Sequence, residues 1–352
     1  MALSVGIVGL PNTGKSTLFQ ALTQKQVDRA NYPFCTIEPN LGIIAVPDNR
    51  LDALSEIFPR EKKISTTIEF VDIAGLIKGA SQGEGLGNKF LSHIREVDAV
   101  VYVLRGFNRP NIINTQPDID PWAEKEILDV ELSLKDLETL EKRLSSLEKD
   151  IKAGQKAALR EAAILEKFVQ NLKKGRMLVD LEIRDEEKEI LDRYQLLSSK
   201  PRLYLINASK SELSSEKLAL FSGQPYLILD VLTELEAADL SAQERQELDL
   251  GPSQLDELIQ RSYQLLDLIT FFTVGQNEVR AWTLRRGQTA PEAGGVIHTD
   301  FQNNFIKAEV INWQQLVEAG SFSVARQRGL VRTEGKEYQV QDGDVIEIKA
   351  GA

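Results

Sequence analysis

The chain has 352 residues, with 42 lysines and arginines against 53 aspartates and glutamates, a formal net charge of −11. That length suits two or three domains at roughly 100–200 residues each, and the acidic balance argues against broad adsorption to nucleic acid or anionic membrane. A single cysteine, Cys35, excludes an intrachain disulfide and fits a reducing, cytoplasmic setting.

In chain order, the first element is Leu3–Val8, an apolar run that predicts a buried strand. No basic segment precedes it, so a signal peptide is not expected. A glycine-bearing loop follows, then a helix from about Lys15 to Thr23. Leu41–Val46, Thr67–Ile73 and Ala99–Leu104 are β-rich. Strand and helix signals in alternation predict an α/β fold whose mostly parallel sheet carries helices on both faces.

Past residue 118 the composition turns to Glu, Lys, Leu and Ala. Leu137, Leu140, Leu144, Leu147 and Ile151 are spaced 3, 4, 3 and 4, the seam of a coiled coil. Gly154 interrupts the pattern, and Leu165, Phe168 and Leu172 resume it, which predicts two antiparallel helices. Arg202–Asn207 and Pro225–Asp230 read as strands that complete the first sheet, so the helical segment is an insertion. Gly251-Pro252 marks a boundary, followed by a helix over Gln254–Leu266. Phe271–Val274, Arg280–Leu284, Ile306–Ile311 and Val345–Ile348 predict a small α+β module. The expected parts are 1–118, the insertion 119–198, a completing part 199–250, a linker helix 251–267 and a final module 268–352. Nowhere does an apolar stretch approach the ~20 residues of a membrane helix, so no membrane contact is expected.

The run Gly9-Leu10-Pro11-Asn12-Thr13-Gly14-Lys15-Ser16 has the spacing of a phosphate-binding loop, between a predicted strand and a predicted helix. Gly9 and Gly14 let successive N–H groups turn inward, and the helix N-terminus points at the same anion. Asn12, Thr13, Gly14, Lys15, Ser16 and Thr17 are the candidate phosphate contacts. Lys15 supplies a charge for catalysis and is expected to face solvent without ligand, and Ser16 offers a hydroxyl to Mg²⁺. Asp72-Ile73-Ala74-Gly75 ends a later strand. There Asp72 is placed to hold Mg²⁺ through a water, and the Gly75 amide to meet the γ-phosphate. Thr36, in the intervening segment, is a third candidate for the metal. Leu76 stands where Ras-like proteins carry a water-orienting glutamine, so the catalytic polar group must come from elsewhere. Several glycines after it (Gly79, Gly83, Gly85, Gly87) predict a mobile segment. His298 reads as structural.

The segments GIVGLPNTGKSTLFQALT, NYPFCTIEPN and FVDIAGLIKGASQGEGLGNKFL resemble the YchF subfamily of Obg-like P-loop ATPases. EVRAWTLRRGQTAP and IHTDFQNNFIKAEVI resemble its C-terminal TGS domain. The resemblance runs over nearly the whole chain. It implies a P-loop nucleotide domain, an inserted coiled-coil hairpin and a TGS domain, with ATP bound and hydrolysed in preference to GTP. It further implies association with ribosomes and a switch role in translation or stress responses. By the same resemblance Phe107 stacks on the base, Asn207 and Ala208 line its other side, and Ser209 is a further nucleotide-binding candidate. Asn114 stands where many bacterial relatives carry a catalytic histidine, and an amide cannot titrate near neutral pH, so slow turnover is expected. The base motif reads Asn207-Ala208-Ser209-Lys210, with no acid at its fourth position, which disfavours guanine; Glu212, two residues on, is a candidate substitute. Arg280, Arg285, Arg286 and Lys307 form either a basic face for ribosomal RNA or scattered surface charge. A monomer is expected. An Obg-type GTPase and a non-hydrolysing ATP-binding regulator remain the alternatives.

Overall fold

The computed structural model describes residues 3–26, 40–73, 86–113, 116, 118–275 and 277–351. Its first half runs β1 (Ser4–Val8), α1 (Lys15–Gln24), β2 (Leu41–Ala45), α2 (Asn49–Ile57), β3 (Lys62–Ile64), β4 (Thr67–Asp72), α3 (Leu86–Glu96) and β5 (Ala99–Arg105). Helices α4 (Pro121–Lys152), α5 (Lys156–Lys173) and α6 (Asp185–Tyr194) come next. They are followed by β6 (Arg202–Asn207), α7 (Ser215–Ala219), β7 (Tyr226–Leu229), α8 (Val231–Glu236), α9 (Ala242–Glu247) and α10 (Gln254–Leu265). The final module comprises β8 (Leu268–Val274), β9 (Glu278–Arg285), α11 (Ala290–Ile297), α12 (Thr299–Asn303), β10 (Phe305–Asn312), α13 (Trp313–Ala319), α14 (Phe322–Gln327), β11 (Arg332–Glu334) and β12 (Asp344–Ala350).

The first sheet has the order β2-β4-β1-β5-β6-β7. Its pairs are parallel except β2 with β4, which is antiparallel. Strands β5 and β6 are buried along their whole length, as expected of central parallel strands covered on both faces. Their side chains alternate between two cores. Val101, Val103, Leu203 and Leu205 join α1 and α10 on one face. Val100, Tyr102, Leu104, Tyr204 and Ile206 meet α3 and the first turns of α4 on the other. Because all the parallel strands run the same way, their C-terminal ends line one edge of the sheet. The phosphate loop follows β1 there, Asp72 ends β4 and Asn207 ends β6.

The insertion departs from β5 and returns to its neighbour β6. Asp120 starts α4 by accepting the amides of Trp122 and Ala123 at 3.0 and 3.3 Å, and Pro121 occupies the first turn. The seam residues Leu137, Leu140, Leu144, Leu147 and Ile151 pack with Leu165, Phe168 and Leu172 of α5. A third helix, α6, adds Ile190 and Leu191 to that core. Its charged sequence, DEEKEILDRY, shows only two aliphatic residues in ten, too few to announce a core face.

Two further features differ from expectation. Residues 254–265 do not form a free linker: Leu255, Leu258, Ile259 and Tyr263 are buried in the core of the first sheet. The second sheet, β11-β10-β12-β8-β9-β3, takes its edge strand β3 from the N-terminal half. Leu51 and Leu54 of α2 are likewise buried with Phe272, Val279 and Leu316 of the C-terminal module. Arg50 pins this junction, with Nη1 2.9 Å from Asp342 and Nη2 2.8 Å from Asp48. Three residues of β3, with a two-lysine start, carry too little pattern to reveal this exchange.

Asp136 holds the base of the insertion. Its fully buried carboxylate accepts the amides of Leu197 and Ser198 at 2.9 and 2.7 Å and the Ser198 hydroxyl at 2.6 Å. Asp136→Ala leaves three buried donors unsatisfied and is expected to destabilise the chain by roughly 3 kcal/mol, read from urea unfolding of the two proteins. An unchanged midpoint would show that water replaces the carboxylate at no cost.

Candidate nucleotide-binding site

The phosphate loop is shaped by its backbone. Gly14 adopts φ 102°, and Asn12 adopts φ 65°. A Cβ on Gly14 would lie 2.3 Å from Asn207 Nδ2, and one on Gly9 2.5 Å from the Val103 carbonyl. Glycine is therefore required twice, once for a left-handed turn against a side chain and once for close contact with β5. Helix α1 begins directly after, at Lys15.

Lys15 is only 8% exposed. This corrects the expectation that it faces solvent: its Nζ donates to the Leu10 carbonyl at 2.8 Å, so the loop itself satisfies the ammonium. Burial lowers the Lys15 pKa, opposed by Asp72 and Glu124. Thr13 Oγ1 donates to the same carbonyl at 3.1 Å and is fully buried, so its side chain braces the loop. Ser16 Oγ lies 3.4 Å from Asp72 Oδ2. The other Asp72 oxygen, Oδ1, is buried with no hydrogen-bond partner among the described residues. Burial raises the Asp72 pKa, opposed by Lys15 and Ser16. A hydroxyl beside a carboxylate with a bare buried oxygen fits a hard divalent cation, which takes oxygen ligands.

A cavity of about 380 Å³ opens beside the loop, lined among others by Gly14, Lys15, Ser16, Thr17, Phe107 and Asn207. Asn207 bridges it to the sheet: Nδ2 donates to the Thr13 carbonyl at 2.9 Å, and Oδ1 accepts the Val231 amide at 3.1 Å. Asn12 also lines the cavity. Ala208 is instead buried in the core under β6. Ser209 caps the short 3-10 turn Lys210–Glu212, and Glu212 accepts its amide at 2.8 Å and its hydroxyl at 2.9 Å. The second Glu212 oxygen faces the Asn108 amide at 3.4 Å. Cys35, Thr36, Gly75, Leu76 and Asn114, and the Lys210 side chain, lie outside the described residues. A larger cavity, about 550 Å³ around Lys25 and Arg245, contains no residue of the phosphate loop.

The other sequence candidates fall elsewhere. Arg280 and Arg285 lie on β9 and Arg286 just beyond it, whereas Lys307 is on β10 with β12 and β8 between. Arg280 lies 4.0 Å from the Trp282 ring centroid, and Arg286 pairs with Asp267 at 3.1 Å. His298 caps α12, accepting the Asp300 amide at 3.2 Å, a structural task.

The family described as 50S ribosome-binding GTPase matches residues 4–153. YchF-GTPase_C, described as a protein of unknown function (DUF933), matches residues 268–351. The "Ribosome-binding ATPase YchF" of Bacillus subtilis (strain 168) is 45% identical, with 99% of each chain covered. The chain belongs to the YchF family. The Escherichia coli O157:H7 protein of the same name is 43% identical over 98% of both chains. The solved YchF GTPase of Schizosaccharomyces pombe superposes with a TM-score of 0.88 at 37% identity, covering 99% of this chain and 97% of that one. The P-loop α/β fold with its C-terminal YchF domain is therefore shared with that protein.

Against this YchF framework, several residues escaped sequence reasoning, Ile112 of the cavity lining among them. Val231 and Leu232 line the cavity from the first turn of α8, directly after β7, where ligands of open α/β sheets sit. Arg109 lines it too and pairs with Asp230 at 3.2 Å. Arg105 is a charged end to an otherwise apolar buried strand, a signal that sequence alone displays. Glu124 looks like an ordinary first-turn acid, yet it is 3% exposed and accepts the Arg105 amide at 2.8 Å.

Burial pushes the Glu124 carboxyl up to about 7, against the opposing influence of the Arg105 amide and guanidinium and of Lys15. A carboxyl that binds its proton more tightly when folded adds stability below its unfolded pKa, and this is lost as pH rises through the folded value. Wild-type stability is therefore expected to fall between pH 5 and 8 by up to roughly 3 kcal/mol from this group. Glu124→Gln keeps an acceptor for the Arg105 amide and removes the titration, so it should flatten that slope. Equal slopes for the two proteins, measured by chemical unfolding across that range, would contradict the assignment.

Proposed function

We propose that the chain is a Mg²⁺-dependent P-loop ATPase that associates with ribosomes and changes state with its bound nucleotide. The observation that carries this reading is the convergence of Lys15, Ser16 and Asp72 at the C-terminal edge of the first sheet, beside a cavity of about 380 Å³. The relatives' printed names, "Ribosome-binding ATPase YchF", supply the ribosome and the ATPase activity. A cytoplasmic location goes with that partner, and among the described residues no helix is long and apolar enough to cross a membrane.

Ser16 and Asp72 would hold Mg²⁺, with Thr36, outside the described residues, as a third; the cation would offset charge on the β- and γ-phosphate oxygens. The loop amides around Gly14 and the N-terminus of α1 bind phosphate, and Lys15 exchanges the Leu10 carbonyl for phosphate oxygens. Asn207 keeps the Thr13 peptide in place while the base occupies the side lined by Phe107, Val231 and Leu232. Gly75 would meet the γ-phosphate, and Asn114 would orient water; without a glutamine at position 76, turnover is slow.

Preference for ATP over GTP is supported by the base motif. Lys210 stands where an acid would read guanine, and the Glu212 carboxylate is engaged by Ser209 and the Asn108 amide. Losing one charge-assisted contact to guanine corresponds to about 1.5–3 kcal/mol. Calorimetric titration with Mg²⁺ should therefore give ATP at least about tenfold tighter binding than GTP. Lys15→Ala should lose triphosphate affinity while retaining the fold. GTP binding as tight as ATP, or a Lys15→Ala protein with undiminished affinity, would overturn the reading.

A further inference from the structure

Arg105 closes strand β5 and is 3% exposed, yet it lies outside the cavity lining. Its guanidinium donates to three carbonyls of one loop: Nε to Phe107 at 3.3 Å, Nη1 to Ile113 at 3.1 Å and Nη2 to Ile112 at 3.1 Å. The same group lies 4.7 Å from the centroid of the Phe107 ring. Asn12, in the phosphate loop, donates Nδ2 to the Ile113 carbonyl at 3.2 Å, so one peptide receives both the arginine and the phosphate loop. On its other side, the Arg105 amide is held by Glu124 in the first turn of α4.

We propose that Arg105 is a positioning residue for nucleotide selection, holding segment 107–113 against the phosphate loop so that Phe107 is set for the base. Through the Arg105 amide, Glu124 ties that setting to the head of the insertion helix. This inference rests on the reading of the cavity as the ATP site. A guanidinium suits the task because its planar fork carries five donors in fixed directions, which reach three carbonyls and still leave a flat face for an aromatic ring. Lysine has the charge but neither the fork nor the face. An arginine that merely stabilised the loop would affect every ligand of the phosphate loop alike. One that positions Phe107 affects only ligands that possess a base.

The test compares Mg²⁺-ATP with Mg²⁺-tripolyphosphate, which offers phosphates and no base, on the full-length chain by calorimetry. Arg105→Lys is expected to weaken ATP by about tenfold or more and tripolyphosphate by less than about twofold. Phe107→Leu should reproduce that pattern, and the double variant should be no weaker than the worse single one, because both changes remove the same interaction. Glu124→Ala, which removes the acceptor of the Arg105 amide, should shift ATP in the same direction. ATP binding by Arg105→Lys at wild-type strength would overturn the proposal. Equal losses for ATP and tripolyphosphate, or additive effects in the double variant, would overturn it too. Should Arg105→Lys fail to fold, the Phe107→Leu and Glu124→Ala pair decides on the same two ligands. A wild-type chain that ignores ATP would instead remove the ATPase reading itself.

Discussion

The Asn207 side chain is the joint on which the site depends. A single amide group accepts from Val231 and donates to the Thr13 carbonyl, so the ends of β6 and β7 and the phosphate loop share one geometry. The contact is close enough to exclude any side chain from position 14. It also means that the loop is held from the end of β6 by a protein contact of its own. A terminal amide suits this place because it offers a donor and an acceptor in one plane, and an aspartate there could not donate to Thr13.

Around that joint, charge is concentrated where the strands end. Lys15, Asp72, Arg105 and Glu124 are all wholly or largely buried at one edge of the sheet. Burial makes each expensive to keep ionised, and each is offset by a hydrogen bond or an opposite charge. Lys15 has the Leu10 carbonyl, Asp72 has Ser16, Glu124 has the Arg105 amide, and Arg105 has three carbonyls. Asp72 Oδ1 is the exception. Such an arrangement places ionised groups in fixed positions away from bulk water, where their electrostatic interactions are strengthened.

The rest of the fold connects this edge to distant surfaces. Helix α4 starts with Glu124 under the site and runs on as the first arm of the helical insertion. The C-terminal sheet shares α2 and β3 with the N-terminal half, so the two sheets are interlocked by chain exchange and by Arg50. Helix α10 completes the first core before the chain enters β8. The phosphate site is therefore joined by covalent and packed connections to both the insertion and the C-terminal module.

The sequence by itself determined the parts with strong local patterns. Glycine spacing and a Lys-Ser pair marked the phosphate loop, 3-4 leucine spacing marked the α4–α5 seam, and apolar runs marked the central strands, because each depends on neighbours within a few residues or one helical turn. Tertiary structure decided whatever depends on long-range pairing or burial. The Lys15 ammonium turned inward because the folded loop presents a carbonyl to it. Glu124 took its place because β5 and α4 meet there, and a first-turn acid carries no sequence sign of that meeting. Strand β3 joined the far sheet through three positions whose one apolar residue, Ile64, is too little to make a pattern. In each of these cases the deciding partner is distant in sequence or is a backbone group, and residue type alone does not encode where such a partner will be.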